Sequence, residues 1–136
     1  MVAEDVQMSQ PWVSELAQTL GCEMVSVEKG RSEYRLQVSE LHANKGGTIH
    51  GGMYSMLCDM ALGAALVSTL RVEDWCATAQ LSISFLEAAS VGSLLTATGR
   101  IVRRGRNVAH CAGEVVDQHG RTVATATGTW AIWTKK

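Results

Sequence analysis

The sequence predicts an α+β domain in which one curved antiparallel sheet wraps around a single long helix. The stretch from Thr48 to Leu70 carries one charged side chain, Asp59, and its Met, Leu and Ala, with no proline and no sustained β-branched run, favour a helix. A helix apolar nearly all the way round is expected to be buried on most of its sides. The chain after it changes to strict alternation broken by short Gly-containing turns, the pattern of long antiparallel strands. One apolar helix and one sheet bury each other if the sheet curls around the helix.

Bulk properties exclude several classes. At 136 residues the chain is one domain, long enough to enclose one helix. A formal net charge of −1 gives no basic surplus for a nucleic-acid partner. Cys22, Cys58, Cys76 and Cys111 are scattered and form no CxxC pair, so free thiols in a reducing, cytoplasmic compartment are expected. The histidines lack metal-ligand spacing, and no metal is expected. Met1 to Gln10 carries acids and no apolar core, so no signal peptide is expected. Thr48–Leu70 is long enough to raise the question of a membrane span. Asp59 at its middle, its glycines and the lack of cationic anchors close to its start argue for no membrane.

The elements follow in order. Residues 1–8 are expected to be disordered and 9–136 to form the single domain. Ser9-Gln10-Pro11 reads as a helix start, with the only proline at a first helical position. Trp12, Leu16 and Leu20 give that helix one apolar face, which ends near Gly21. From Cys22 to Val38 two strands turn at Lys29-Gly30, with Tyr34, Leu36 and Val38 alternating with Arg35 and Gln37. A polar approach, Asn44 to Gly47, leads to His50-Gly51-Gly52, where the long helix begins. Arg71 to Asp74 is a polar loop. In the next strand Ala77, Ala79, Leu81, Ile83 and Phe85 are expected on one face, with Thr78, Gln80, Ser82 and Ser84 on the other. Three more strands are expected near 93–104, 106–117 and 121–134, turning at Arg104-Gly105 and Asp117–Gly120. Trp130 and Trp133 fall on opposite faces of the last. A sheet of this kind leaves edges and a second face uncovered, so a homodimer is the expected completion.

Two features of the long helix point to chemistry. Its N-terminus presents unpaired N–H groups and partial positive charge, and Gly51 and Gly52 let a substrate oxygen approach that backbone. A carbonyl oxygen gaining charge in acyl transfer needs such donors. A plain tight turn into a helix is the structural alternative for the glycine pair. The second feature is Asp59, a carboxylate set in apolar surroundings. Gly52, Ser55 and Gly63 lie on its face of the helix and keep part of it free of bulk, as binding requires. The structural alternative is an Asp bonded to a nearby backbone group or to Ser55. At a rise of ~1.5 Å per residue, Gly51 and Asp59 are roughly 12 Å apart along one helix. A base and an oxyanion donor serving one carbonyl must each come within about 3 Å of their atoms. Two copies running antiparallel across a twofold axis would meet that demand.

The pattern Asn44-x-x-Gly47-x-x-His50-Gly51-Gly52, with Asp59 nine residues after the histidine, resembles the signature of hotdog-fold thioesterases of the PaaI-like family. The element order is similar from about Trp12 to Thr134. The resemblance implies hydrolysis of an acyl-CoA to free acid and CoA, the acyl group being aromatic or short-to-medium, with no cofactor beyond the CoA of the substrate. It implies that the Gly51 N–H and Asn44 bind and polarise the thioester carbonyl, and that His50 supports that loop. Asp59 of the partner subunit would act as general base or nucleophile. Some relatives carry a water-placing hydroxyl where Thr78 falls; strict alternation sets Thr78 opposite Ile83 and Phe85, away from the site unless a bulge near the strand start re-aims it. Another branch has Glu at the acid position and a hydroxyl four residues later, whereas this chain has Asp59 and Gly63. Arg103, Arg104 and Arg106 are candidates for the CoA phosphates, a solvated basic hairpin being the alternative. Whether dimers pair into tetramers stays open. Two rivals remain: a hotdog hydratase or dehydratase, whose motif places a proline after the histidine that is absent after His50, and a non-catalytic acyl-CoA sensor, which has no use for Asp59.

Overall fold

The computed structural model describes residues 12–135. In chain order it contains α1 (Glu15–Thr19), β1 (Glu23–Glu28), β2 (Arg31–Gln37), a 3-10 turn (Glu40–His42), α2 (Gly51–Val67), β3 (Asp74–Phe85), β4 (Leu94–Arg104), β5 (Val108–Val116) and β6 (Thr122–Thr134). The strands form one antiparallel sheet in the order β1-β2-β4-β5-β6-β3, so β1 and β3 are its edges. α2 lies across the inner face and buries Leu57, Ala61, Leu62, Ala65 and Leu66 against the sheet. This is the hotdog arrangement that the resemblance implies.

Backbone proximity sets the position of α2. At Gly99 on β4 an added Cβ would lie 2.2 Å from the Ala61 carbonyl oxygen, so helix and strand touch where no side chain fits. The same carbonyl accepts a hydrogen bond from Ser32 Oγ at 2.5 Å. At the far end Ser68 Oγ donates to the Ala65 carbonyl and accepts from the Gly30 N–H, both at 2.7 Å, which fastens the helix to the β1–β2 turn. Buried His42 joins the N-terminal side: its Nδ1 accepts from the Ser39 N–H at 2.9 Å and its Nε2 donates to the Leu20 carbonyl. At 17 residues α2 is shorter than the Thr48–Leu70 segment, and no described helix is long and apolar enough to cross a membrane.

Several expectations are corrected. The helix start at Ser9–Pro11 and the tail 1–8 lie outside the described residues. The described α1 begins at Glu15 with Ser14 Oγ capping the Ala17 N–H at 3.2 Å, and it buries Ala17 while Leu16 is 62% exposed. Of the expected apolar face, Trp12 and Leu20 pack against the core and Leu16 does not. Strict alternation on β3 also fails. Thr78 pairs with Trp130 and Gln80 with Thr129, leaving Ala79 as the extra residue of a bulge. The bulge flips the parity, so Cys76 and Thr78 share the inner face with Leu81, Ile83 and Phe85, and Ala77 does not. Finally, α2 is not covered all round: Gly52 and Asp59 are exposed, and Ser55, Met56, Met60 and Gly63 are half-buried along the same stripe.

Candidate active site

The approach loop organises itself around Asn44. Its Oδ1 accepts from the Gly46 N–H at 2.8 Å and the Thr48 N–H at 3.3 Å, while its Nδ2 donates to Thr48 Oγ1 at 3.2 Å. Gly47 sits at φ 82°, a left-handed conformation that favours glycine. Asn44 thus spends its oxygen holding the turn and keeps one amide N–H for another acceptor.

His50 is the N-cap of α2. Its Nδ1 accepts from the Gly52 N–H at 3.0 Å, which requires the neutral ring with its proton on Nε2. An added Cβ at Gly52 would come 3.2 Å from that nitrogen, so Gly52 makes room for the cap and its own N–H is already taken. Gly51 differs. Its N–H donates to no described residue, and it stands at the positive end of a helix. Phe85 of β3 lies on its other side, 3.3 Å from where a Cβ would be. Phe85 stacks with Tyr54 at 6.2 Å between centroids, and Tyr54 donates to the Glu87 carbonyl at 2.9 Å. The helix start is thereby tied to the end of β3, with one backbone donor left open.

Asp59 lies two turns further along. Thr78 Oγ1 donates to Asp59 Oδ1 at 2.7 Å, a bond that exists because the β3 bulge turns Thr78 inward. Oδ2 has no partner among the described residues, and no cation pairs with this carboxylate among them. The free oxygen of a held, exposed carboxylate is what a base or nucleophile needs. Ser55, one turn earlier on the stripe, has no hydrogen-bond partner among the described residues. Asp59 and Thr78 border an open groove of about 570 Å³ that runs between α1 and α2, walled by Tyr34, Met60, Val67 and Trp130.

The structure does not bring the arginines to this groove. Arg104 and Arg106 line a separate hollow of about 520 Å³ with Arg71, Asp74, Asn107 and Trp133, at the β4–β5 hairpin. Arg103 is exposed on the same hairpin. Asp74 is claimed by Arg71, which holds its carboxyl below the usual range. Among the described residues no three His, Cys, Asp or Glu side chains converge as a metal site would need. Sequence reasoning missed Phe85 as the cover of Gly51 and Trp130 as a groove wall. The only signal for the latter was its side of the last strand.

Comparison with known proteins identifies the family of this chain. Residues 46–124 match the family model of the Thioesterase superfamily. Mouse acyl-coenzyme A thioesterase 13 is 26% identical over 95 residues, covering 70% of this chain and 67% of that protein. Among solved structures, the Escherichia coli PaaI protein from the phenylacetic acid degradation operon is 25% identical with a TM-score of 0.84, covering 90% of this chain and 87% of that one. A Streptococcus mutans protein bound to acetyl-CoA is 33% identical with a TM-score of 0.78, covering 85% of this chain and 91% of that one.

Proposed function

This chain belongs to the Thioesterase superfamily, and we propose that it hydrolyses acyl-CoA thioesters with aromatic or short-to-medium acyl groups, as a homodimer whose two active sites are each shared between subunits. The observation that carries this reading is the pair of open groups on α2: the free Gly51 N–H and the Thr78-held Asp59 carboxylate. They stand eight residues apart on one continuous helix, roughly 12 Å along its axis, and cannot serve one carbonyl from the same chain. An antiparallel copy sets Asp59 of the partner subunit beside Gly51.

The chemistry then follows from the groups. The thioester oxygen accepts from the Gly51 N–H, with the remaining Asn44 amide N–H as second donor and His50 fixing the loop through its cap. The partner's Asp59 removes a proton from water as the water oxygen bonds to the carbonyl carbon. Negative charge builds on the oxygen facing Gly51, the C–S bond breaks, and the thiolate takes the proton. Attack by Asp59 itself gives a mixed anhydride that water opens in a second step. Single turnover in ¹⁸O-water separates the two: direct attack by water puts label only in the released acid, whereas an anhydride opened at the aspartyl carbon leaves label in the Asp59 carboxylate and releases unlabelled acid.

A panel of acyl-CoAs assayed for thiol release tests the reading. We expect turnover of at least one member and a loss of at least ~100-fold in Asp59→Ala, the scale of a positioned base. Equal release by both proteins removes Asp59 from the mechanism. Acyl-CoA binding without release would mark a sensor instead.

A further inference from the structure

We propose that the indole N–H of Trp130 is a specificity donor in the acyl groove, selecting acyl groups that carry a hydrogen-bond acceptor about one helical turn from the thioester carbonyl. The proposal rests on the hydrolase reading above for its substrate and on a separate observation for its residue. Trp130 is 2% exposed, yet its Nε1 donates to no described residue. Among the described residues no sealed side-chain nitrogen or oxygen lacks a partner, so this N–H reaches open space. The open space that Trp130 borders is the groove holding Asp59 and Thr78. An acyl group filling the groove displaces water from that N–H, so one carrying an acceptor replaces the hydrogen bond while one without leaves the donor unpaired at a penalty.

The ring is held by two glycines. A Cβ at Gly128 would lie 2.5 Å from Trp130 Cζ3, so the indole lies across that residue and no other side chain fits there. A Cβ at Gly63 would stand 3.6 Å from Nε1, so the missing side chain on α2 is what leaves the N–H uncovered. Gly63 follows Asp59 by four residues on the same face, a rise of about 6 Å. An acceptor oxygen meeting Nε1 therefore sits about that far from the carbon that Asp59 serves. An indole N–H only donates, so ether, keto and hydroxyl oxygens satisfy it and a methylene does not. Tyr34, another polar aromatic of the groove, already donates to the Trp12 carbonyl at 2.7 Å.

Isosteric substrate pairs test this: 4-methoxybenzoyl-CoA against 4-ethylbenzoyl-CoA, and 5-oxohexanoyl-CoA against 5-methylhexanoyl-CoA. The wild type should prefer the oxygen-bearing member of at least one pair by roughly tenfold in kcat/KM, the worth of one hydrogen bond. Trp130→Phe should bring the ratio to about one. So should Gly63→Ala, whose methyl covers the N–H at ordinary contact distance and favours the helix, which guards against a folding failure of the first variant. In the Asp59→Asn protein, the indole ¹H–¹⁵N resonance missing from Trp130→Phe should move downfield with 4-methoxybenzoyl-CoA and not with its isostere. If the resonance moves but the wild type hydrolyses nothing, the donor stands and the hydrolase reading falls. If hydrolysis proceeds while the resonance stays and the ratio is unchanged in both variants, the donor role is overturned and the hydrolase reading survives.

Discussion

Asp59 and Thr78 are separated by nineteen residues of sequence and by 2.7 Å in space. In the proposed mechanism that contact makes Thr78 a positioning residue: it fixes one carboxylate oxygen and leaves the other free. Thr78→Val keeps the shape and removes the donor, so kcat is expected to fall by roughly tenfold with KM little changed, and Thr78→Ser to recover most of it. A purely structural residue would move melting temperature rather than this split. Asp59 was legible in the sequence because a lone charge in an apolar run demands a reason. Thr78 was legible only through the family resemblance, since alternation alone pointed it the wrong way. Gly51 and Gly52 look equivalent in sequence, but the structure separates them: one N–H is taken by His50 and the other is not.

At the scale of elements, the backbone approach of α2 to β4 at Gly99 has a direct test. Gly99→Ala places a methyl against the Ala61 carbonyl, backbone against backbone, where nothing flexible can yield. We expect destabilisation of at least about 2 kcal/mol by denaturant titration, within the overpacking range, whereas Gly120→Ala in an open turn tests φ alone. The strands and the long helix were legible because each repeats its pattern over many residues. The β3 bulge was not, because Ala79 is small and mildly apolar and marks neither face. α1 has five residues and holds only Leu16 of the expected apolar face, so helical spacing did not govern the flanking Trp12 and Leu20, and Leu16 turned outward.

For the whole molecule, burial shapes the thiols. Desolvation, with lesser contributions from Glu114 and Asp59, pushes the Cys58 thiol up to about 12, and burial pushes Cys111 to about 11 and raises Cys22 and Cys76. The native chain therefore holds these protons to higher pH than the unfolded chain, and its stability should decline as pH rises past the ordinary thiol value of 9.0. Near pH 8 the folded protein should react sluggishly with a thiol reagent, half-buried Cys76 first, and all four cysteines should react at once in guanidinium. Four fast thiols in the native protein would contradict the buried placement. The sequence carried the sheet and its helix but not the shape of the groove, because its walls come from α1, α2, β2, β3 and β6 together. In the proposed dimer, the long β3 edge, with Trp75 and Phe85 exposed, is the surface on which a second copy would complete the sheet.

The sharing of each site between two subunits is tested most directly by mixing two inactive variants. Asp59→Ala lacks the carboxylate, and Gly51→Pro lacks the backbone donor while suiting a first helical position after an extended His50, whose ψ is 134°. After denaturation and joint refolding in equal amounts, half of the dimers should be mixed, each with one complete site, so activity should return to about a quarter of wild type. A mixture no more active than its two parents would contradict the account.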